Sequence, residues 1–287
     1  MEKKSYGNEL LHSVLLSVMK DVDKVCKENN INYYLHAGTL LGAVQHKGFI
    51  PWDDDVDITM FSDDYEKFSE LMKLEFSDKY FIQTYKSDYF HPDNRMKIRV
   101  NGTAFNTCGE YDKKLKSNGI FVDIAPLYNV PNNRVLRKIQ KKLIFIIDSI
   151  IQIKLGLIQP ISIKSKLLLK PLSKLDRVFL GRTIDLIMKK MGNNNSRDVG
   201  TLSCTFRNEY MNIDGYENDI RPKDYYKNPI YIDFEDTKFM TITNYHEDLL
   251  KRYGEKYMEP YPEEKRITKH GLEDFKISSE VRKRLNL

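Results

Sequence analysis

One stretch, residues 36–60, HAGTLLGAVQHKGFIPWDDDVDITM, constrains this chain more than any other. A Gly-rich segment, Gly38-Thr39-Leu40-Leu41-Gly42, precedes four carboxylates, Asp53, Asp54, Asp55 and Asp57. From Asp55 to Met60, polar and apolar residues alternate as in a strand with one buried face. Side chains alternate faces along a strand, so Asp53, Asp55 and Asp57 are expected on one face, with Val56 and Ile58 in the core. Carboxylates sharing a face of a buried strand repel one another unless a cation lies among them. Hard oxygen donors of this kind suit Mg2+ or Mn2+, which often bridge to substrate phosphates.

An acidic run is more commonly a solvated surface. This one is flanked by Phe49-Ile50-Pro51-Trp52 and by Ile58-Thr59-Met60-Phe61, which argues for burial. A calcium-binding EF-hand loop also begins D-x-D-x-D, but it needs Gly at its sixth position and Glu at its twelfth. Counted from Asp53, those places hold Ile58 and Asp64. A metal motif of the glycosyltransferase kind stays open. The Gly38-Thr39 turn upstream favours the nucleotidyltransferase arrangement, in which such a turn contacts phosphate through backbone N–H groups and a D-x-D strand holds metal.

The chain has 287 residues, enough for one large domain or two modest ones. Its 41% hydrophobic and 30% charged content is that of an ordinary soluble protein. The N-terminus, MEKKSYGNELLHSVLLSVMKDVDKV, lacks the apolar block and cleavage site of a signal peptide. Cys26, Cys108 and Cys204 are too far apart for a zinc knuckle or a disulfide framework, so they read as reduced packing residues of a cytoplasmic protein. Charge is uneven. Between Arg134 and Lys190 there are 14 Lys or Arg against 3 Asp or Glu, which leaves the remainder of a +5 chain net acidic. Such an excess suits phosphates, anionic lipid or a polyanionic substrate, or else a helical insertion with a solvated basic face. No nucleic-acid partner is expected.

Apolar residues at Leu11, Leu15, Val18, Val22 and Val25 predict a helix over 8–29, ended by Asn29-Asn30. Strands are predicted at 31–36, 80–85, 95–100, 119–124, 201–206 and 230–235, with helices over 64–74 and 245–253. Thr39 to Val44 reads as a short helix whose first N–H groups face the Gly turn. Asp123 stands alone in the apolar run Ile120–Leu127, where burial is costly unless the carboxylate is paired or metal-bound. It reads as a further metal ligand or a base, or as a cap on a turn at Pro126. Arg95, Lys97 and Arg99 alternate with apolar residues, either to reach a diphosphate or to protect an edge strand. The run Lys142–Ile158 is too interrupted for a membrane span and fits an interfacial or buried helix.

Taken together, GTLLGAVQHKGFIPWDDDVDI, FVDIAPL (121–127), FE (234–235) and YGEKYMEP (253–260), with Arg266 and His270 downstream, resemble the LicD family of phosphotransferases, to which fukutin-related protein also belongs. The likeness spans the chain except residues 133–200. Gln45 departs from it, because Arg is commoner before the His. The resemblance implies an α+β fold: a nucleotidyltransferase-like mixed sheet with flanking helices and a helical insertion. Residues 1–132 and 201–287 would form the catalytic domain, and 133–200 the basic insertion. It implies transfer of phosphocholine from CDP-choline to a glycan precursor, or of glycerol phosphate or ribitol phosphate from the matching CDP-alditol. The metal-binding motif maps to Asp53, Asp55 and Asp57, and a further Asp to Asp123, with Mg2+ or Mn2+ as the ion. Asp123 or Asp57 would take the acceptor's proton. Gly38, Thr39, Arg95, Lys97, Arg99 and His270 are the candidate substrate-binding residues, although His270 alone reads as a surface histidine. A lipid-linked acceptor would bring the basic segment to the inner face of the membrane. A metal-dependent glycosyltransferase and a non-catalytic cytidine-nucleotide binder are the other classes left open.

Overall fold

The computed structural model describes residues 6–107, 109–159, 169–201, 207–208, 213–266, 268 and 275–285. Two compact units emerge from it. The first comprises residues 1–83, 96–126 and 225–287, and the second residues 84–95 and 127–224.

The first unit opens with α1, Glu9–Glu28. The predicted stripe is its buried face: Leu11, Leu15, Val18, Val22 and Val25 are all inaccessible. Burying side chains of this size stabilises the fold by about 1.5–3 kcal/mol each. Asn29 caps the helix, and Asn30 turns the chain with a positive φ of 52°, a conformation that Asn tolerates better than most residues.

Next come β1 (Tyr34–Leu35), α2 (Ala37–His46), β2 (Asp57–Phe61), α3 (Ser62–Glu75), β3 (Tyr80–Gln83), β4 (Met96–Val100), β5 (Thr103–Phe105) and β6 (Phe121–Asn129). The sheet runs β1-β2-β6-β4-β3. β4 is therefore an interior strand, antiparallel to β3 on one side and β6 on the other, and the edge-strand reading of its basic residues fails. β6 also runs straight through Pro126 instead of turning there, which removes the capping role considered for Asp123. The central strands carry the core: Ile58, Met60, Met96, Ile98, Val122 and Ile124. A hairpin of Ile230–Phe234 and Thr237–Thr241, then the helix Tyr245–Tyr253, complete this unit together with Phe275–Ile277, which pairs with β5.

In the second unit, α4 (Arg134–Leu155) starts where the Asn133 side chain accepts hydrogen bonds from the N–H groups of Val135 and Leu136. It ends at Gly156, which has φ 78°. α5 (Arg177–Met191), capped by Asp176, packs against α4. Segment 84–95 is tied to α5 by polar contacts. The fully buried Arg177 donates to the carbonyls of His91 and Asp93, and the Tyr85 hydroxyl donates to Asp185 at 2.5 Å. The last residues of β6, Tyr128 and Asn129, pair with Asp198–Gly200. Among the described residues no helix is long and apolar enough to cross a membrane. Cys108, Cys204, Lys164, Lys166 and the strand predicted beyond Thr201 lie outside the described residues. Cys26 is buried, and burial pushes its thiol pKa up, as expected of a packing residue.

Candidate functional site

α2 begins directly after β1. His36 caps it in extended conformation, and Gly38 and Thr39 form its first turn. The Thr39 hydroxyl accepts the backbone N–H of Asp57 at 2.8 Å, and the His36 N–H donates to the Asp57 carbonyl at 3.0 Å. The Gly-Thr segment is thus bonded to the first residue of β2. Gly38 owes its identity to a close approach: a Cβ there would stand 2.8 Å from a carboxylate oxygen of Asp53. Gly42 does the same further along, since its Cβ would meet the Gly48 carbonyl at 2.6 Å. Glu235 fixes the returning loop. It accepts the Phe49 N–H at 3.0 Å and donates its own N–H to the Lys47 carbonyl at 2.7 Å.

The strand pattern read from Asp53 onward is corrected here. β2 starts at Asp57, and residues 53–56 are not strand. The Asp53 N–H donates to the Ile50 carbonyl, and the Asp53 carbonyl accepts from Asn8 at 2.8 Å and from the His12 ring at 2.7 Å. Those bonds divert the backbone from a sheet ladder into a turn. The turn gathers the carboxylates of Asp53, Asp54 and Asp55 until one oxygen from each lies within 4.8 Å of the others. Asp54 is 1% exposed. Val56 and Ile58 do face the core. His12 stacks on Phe49, and burial holds its pKa below the usual histidine range. The Asp53 carbonyl, then Glu235, Glu9 and Asp54, pull the other way.

β6 lies next to β2, and the Asp123 N–H donates to the Val56 carbonyl at 2.8 Å. Across the sheet, Asp123 faces Lys97 of β4. The Lys97 ammonium is 2.7 and 2.8 Å from the two Asp123 oxygens and 3.5 Å from the centre of the Phe121 ring. The other basic candidates go elsewhere. Arg99 is 2% exposed, and it donates to the Gln83 side chain at 2.6 Å and the Gly119 carbonyl at 2.8 Å, so its guanidinium is part of the core. Arg95 precedes β4, belongs to the second unit, and is held by Asp93 at 2.8 Å. His270 lies outside the described residues.

Beside the acidic turn the first unit has a cavity of about 740 Å3. Asn8 and His12, which hold Asp53, line it together with Glu9, Trp52, Glu235, Tyr261 and Arg266. Asn8 and His12 carried no signal in the sequence, because their contribution depends on the start of the chain packing against Asp53, some 40 positions away; Asp54 belonged to the acidic run but was not among the carboxylates expected on the shared face.

Residues 30–145 match the family model described as LicD/FKTN/FKRP, nucleotidyltransferase domain. Over 268 residues the chain is 28% identical to the lipopolysaccharide cholinephosphotransferase LicD of Haemophilus influenzae, covering 91% of this chain and 95% of that protein. It is 29% identical over 118 residues to the human ribitol 5-phosphate transferase FKRP, covering 40% of this chain and 20% of that protein. An uncharacterised protein of Rickettsia typhi is 45% identical over 58 residues, 20% of this chain and 19% of that protein. The α+β architecture with its mixed sheet is accordingly of the nucleotidyltransferase type.

Proposed function

The chain belongs to the LicD family of phosphotransferases, and from that premise we propose that it transfers phosphocholine from CDP-choline to a sugar hydroxyl of a cell-surface glycan precursor. The observation that carries the reading is the acidic turn 53–55 packed against Gly38 in the first turn of α2. The near end-to-end match with a cholinephosphotransferase supports choline as the transferred alcohol.

Three converging carboxylates form a hard oxygen donor set that fits Mg2+ or Mn2+. Asp53, Asp54 and Asp55 would hold the ion; Asp57 and Asp123, which the resemblance adds as ligands, lie outside that group of converging oxygens. When bound, such an ion neutralises the donor's diphosphate and stabilises the departing CMP. The chain's own residues do the positioning. The N–H groups in the first turn of α2 have no partner within the helix ladder and point toward negative charge. Gly38, having no side chain, lets Asp53 approach that turn. Lys97 grips both oxygens of Asp123 and so fixes its orientation. Asp123 then accepts the proton of the acceptor hydroxyl as the sugar oxygen attacks phosphorus.

Incubating the protein with CDP-choline, CDP-glycerol, CDP-ribitol and UDP-sugars tests the reading. CMP released from CDP-choline is the expected result. CMP from a CDP-alditol alone would move the assignment to the ribitol-phosphate type, and UDP release would make the chain a glycosyltransferase.

We also propose that α4 meets an anionic membrane surface carrying a lipid-linked acceptor. Val135, Leu136, Ile139 and Leu143 form an exposed apolar stripe on this helix, and Lys138, Lys141 and Lys142 lie among them. Each such cation contributes on the order of 1 kcal/mol near an anionic surface, and salt screens it. Liposomes containing anionic lipid should retain the protein at low salt and release it at high salt, with weaker retention after charge reversal at the three lysines. Indifference to anionic liposomes at low salt would remove this part of the proposal.

A further inference from the structure

We infer that the cavity beside the acidic turn is a quaternary-ammonium site with Trp52, Tyr6 and Tyr261 as its recognition surface. This deepens the proposed function and rests on it for the choice of donor. The three rings lie side by side in the cavity wall. Tyr6 is 5.8 Å from Trp52 at an interplanar angle of 58°, and Tyr261 is 6.3 Å from it at 21°. The Arg266 guanidinium stands 5.1 Å from the indole centre, so a ligand's ammonium would take the place of a cation on that ring. Two carboxylates, Glu9 and Glu235, line the same cavity and supply negative potential. A ring face plus countercharge is the chemistry that recognises a trimethylammonium group, which has no hydrogen to donate.

Several polar groups of the wall are already engaged. Asn8 and His12 donate to the Asp53 carbonyl, Gln45 donates to the Tyr257 carbonyl, and Glu235 accepts from the Phe49 N–H. These hydrogen bonds engage Asn8, His12, Gln45 and Glu235 with the protein itself, and the three aromatic rings line the cavity beside them. A volume of about 740 Å3 exceeds what a choline head requires and suits a small-molecule site. Trp52 immediately precedes Asp53, so the aromatic wall adjoins the acidic segment, and Asn8 and His12, which hold the Asp53 carbonyl, line the same cavity. Specificity for the transferred alcohol would therefore reside in Tyr6, Trp52 and Tyr261, outside the carboxylate cluster.

Trp52 is the single tryptophan of the chain, so its fluorescence reports on this cavity alone. Titration with phosphocholine should change the emission saturably, and glycerol 3-phosphate at the same concentrations should not. In the donor assay, Trp52→Leu and Tyr261→Leu should each raise KM for CDP-choline about tenfold. Trp52→Phe, which keeps an aromatic face and guards against a folding defect, should retain most of the affinity. An emission spectrum unmoved by phosphocholine, or a wild-type KM in folded Tyr261→Leu and Trp52→Leu proteins, would overturn the assignment. Absence of turnover with every CDP donor would defeat the phosphotransferase reading instead, and the fluorescence titration would still decide this one.

Discussion

Asp55→Asn is expected to lower phosphocholine transfer by at least about 10²-fold, the scale on which loss of one preorganised electrostatic group acts, while the divalent-free protein melts no lower than wild type. The second half of that expectation is the sharper one. Asp53, Asp54 and Asp55 bring three carboxylate oxygens within 4.8 Å of one another. Two unit charges about 4 Å apart repel by roughly 1 kcal/mol in water and roughly 4 kcal/mol near a protein surface. Replacing one carboxylate by an isosteric amide relieves that repulsion and keeps the shape. Asp55 is the position to change. Asp54 is 1% exposed, and Asp53 abuts Gly38 while its backbone anchors the turn. Asp55 is only half-buried, so an amide there is tolerated. A residue that merely stabilised the turn would behave oppositely, with turnover kept and a lower melting temperature.

Asp123→Asn is the second large effect. Loss of a general base costs about 10²–10⁴ in rate, and a fall of at least about 10²-fold per folded molecule is expected. The same substitution leaves Lys97, whose side chain is 13% exposed, facing a neutral amide. Stability should therefore fall too, within the few kcal/mol that a broken, largely buried ion pair costs. Rate and melting temperature have to be measured on the same preparation. If Asp123 served only to neutralise Lys97, the melting temperature would drop and the turnover of the folded fraction would stay near wild type. Lys97→Met separates the two roles further, since it removes the partner and keeps the carboxylate.

How far these roles could be read from the chain depends on where each residue's partners lie in sequence. α1 and the helix Tyr245–Tyr253 were legible because their periodicity is local. The α+β class came from the family resemblance carried by the motifs and not from periodicity, since local patterns of helix and strand do not say how the strands pair. The acidic run announced itself through the apolar residues on either side. Its geometry did not, because the bonds that turn it come from Asn8 and His12 on α1. Period-2 alternation is a property of side chains, and distant hydrogen bonds to the backbone override it. Arg99 looked like a phosphate ligand by spacing alone. It is a core residue because Gln83 on β3 and the Gly119 carbonyl satisfy its guanidinium. Trp52 entered the sequence reading as part of the apolar flank of the acidic run, and its neighbour across the cavity, Tyr261, lies far along the chain. Glu235 belonged to a two-residue motif with no visible task until the Gly48 loop was seen folded onto it.

The central claim is that the turn 53–55 binds a divalent cation on which transfer depends. Calorimetric titration of Mn2+ into wild type and Asp55→Asn, in the presence of CMP, tests it most directly. Saturable binding to the wild type, at least tenfold weaker or absent in the variant, is the predicted result. Equal binding by the two proteins, or no binding by the wild type under conditions where it releases CMP from CDP-choline, would contradict it.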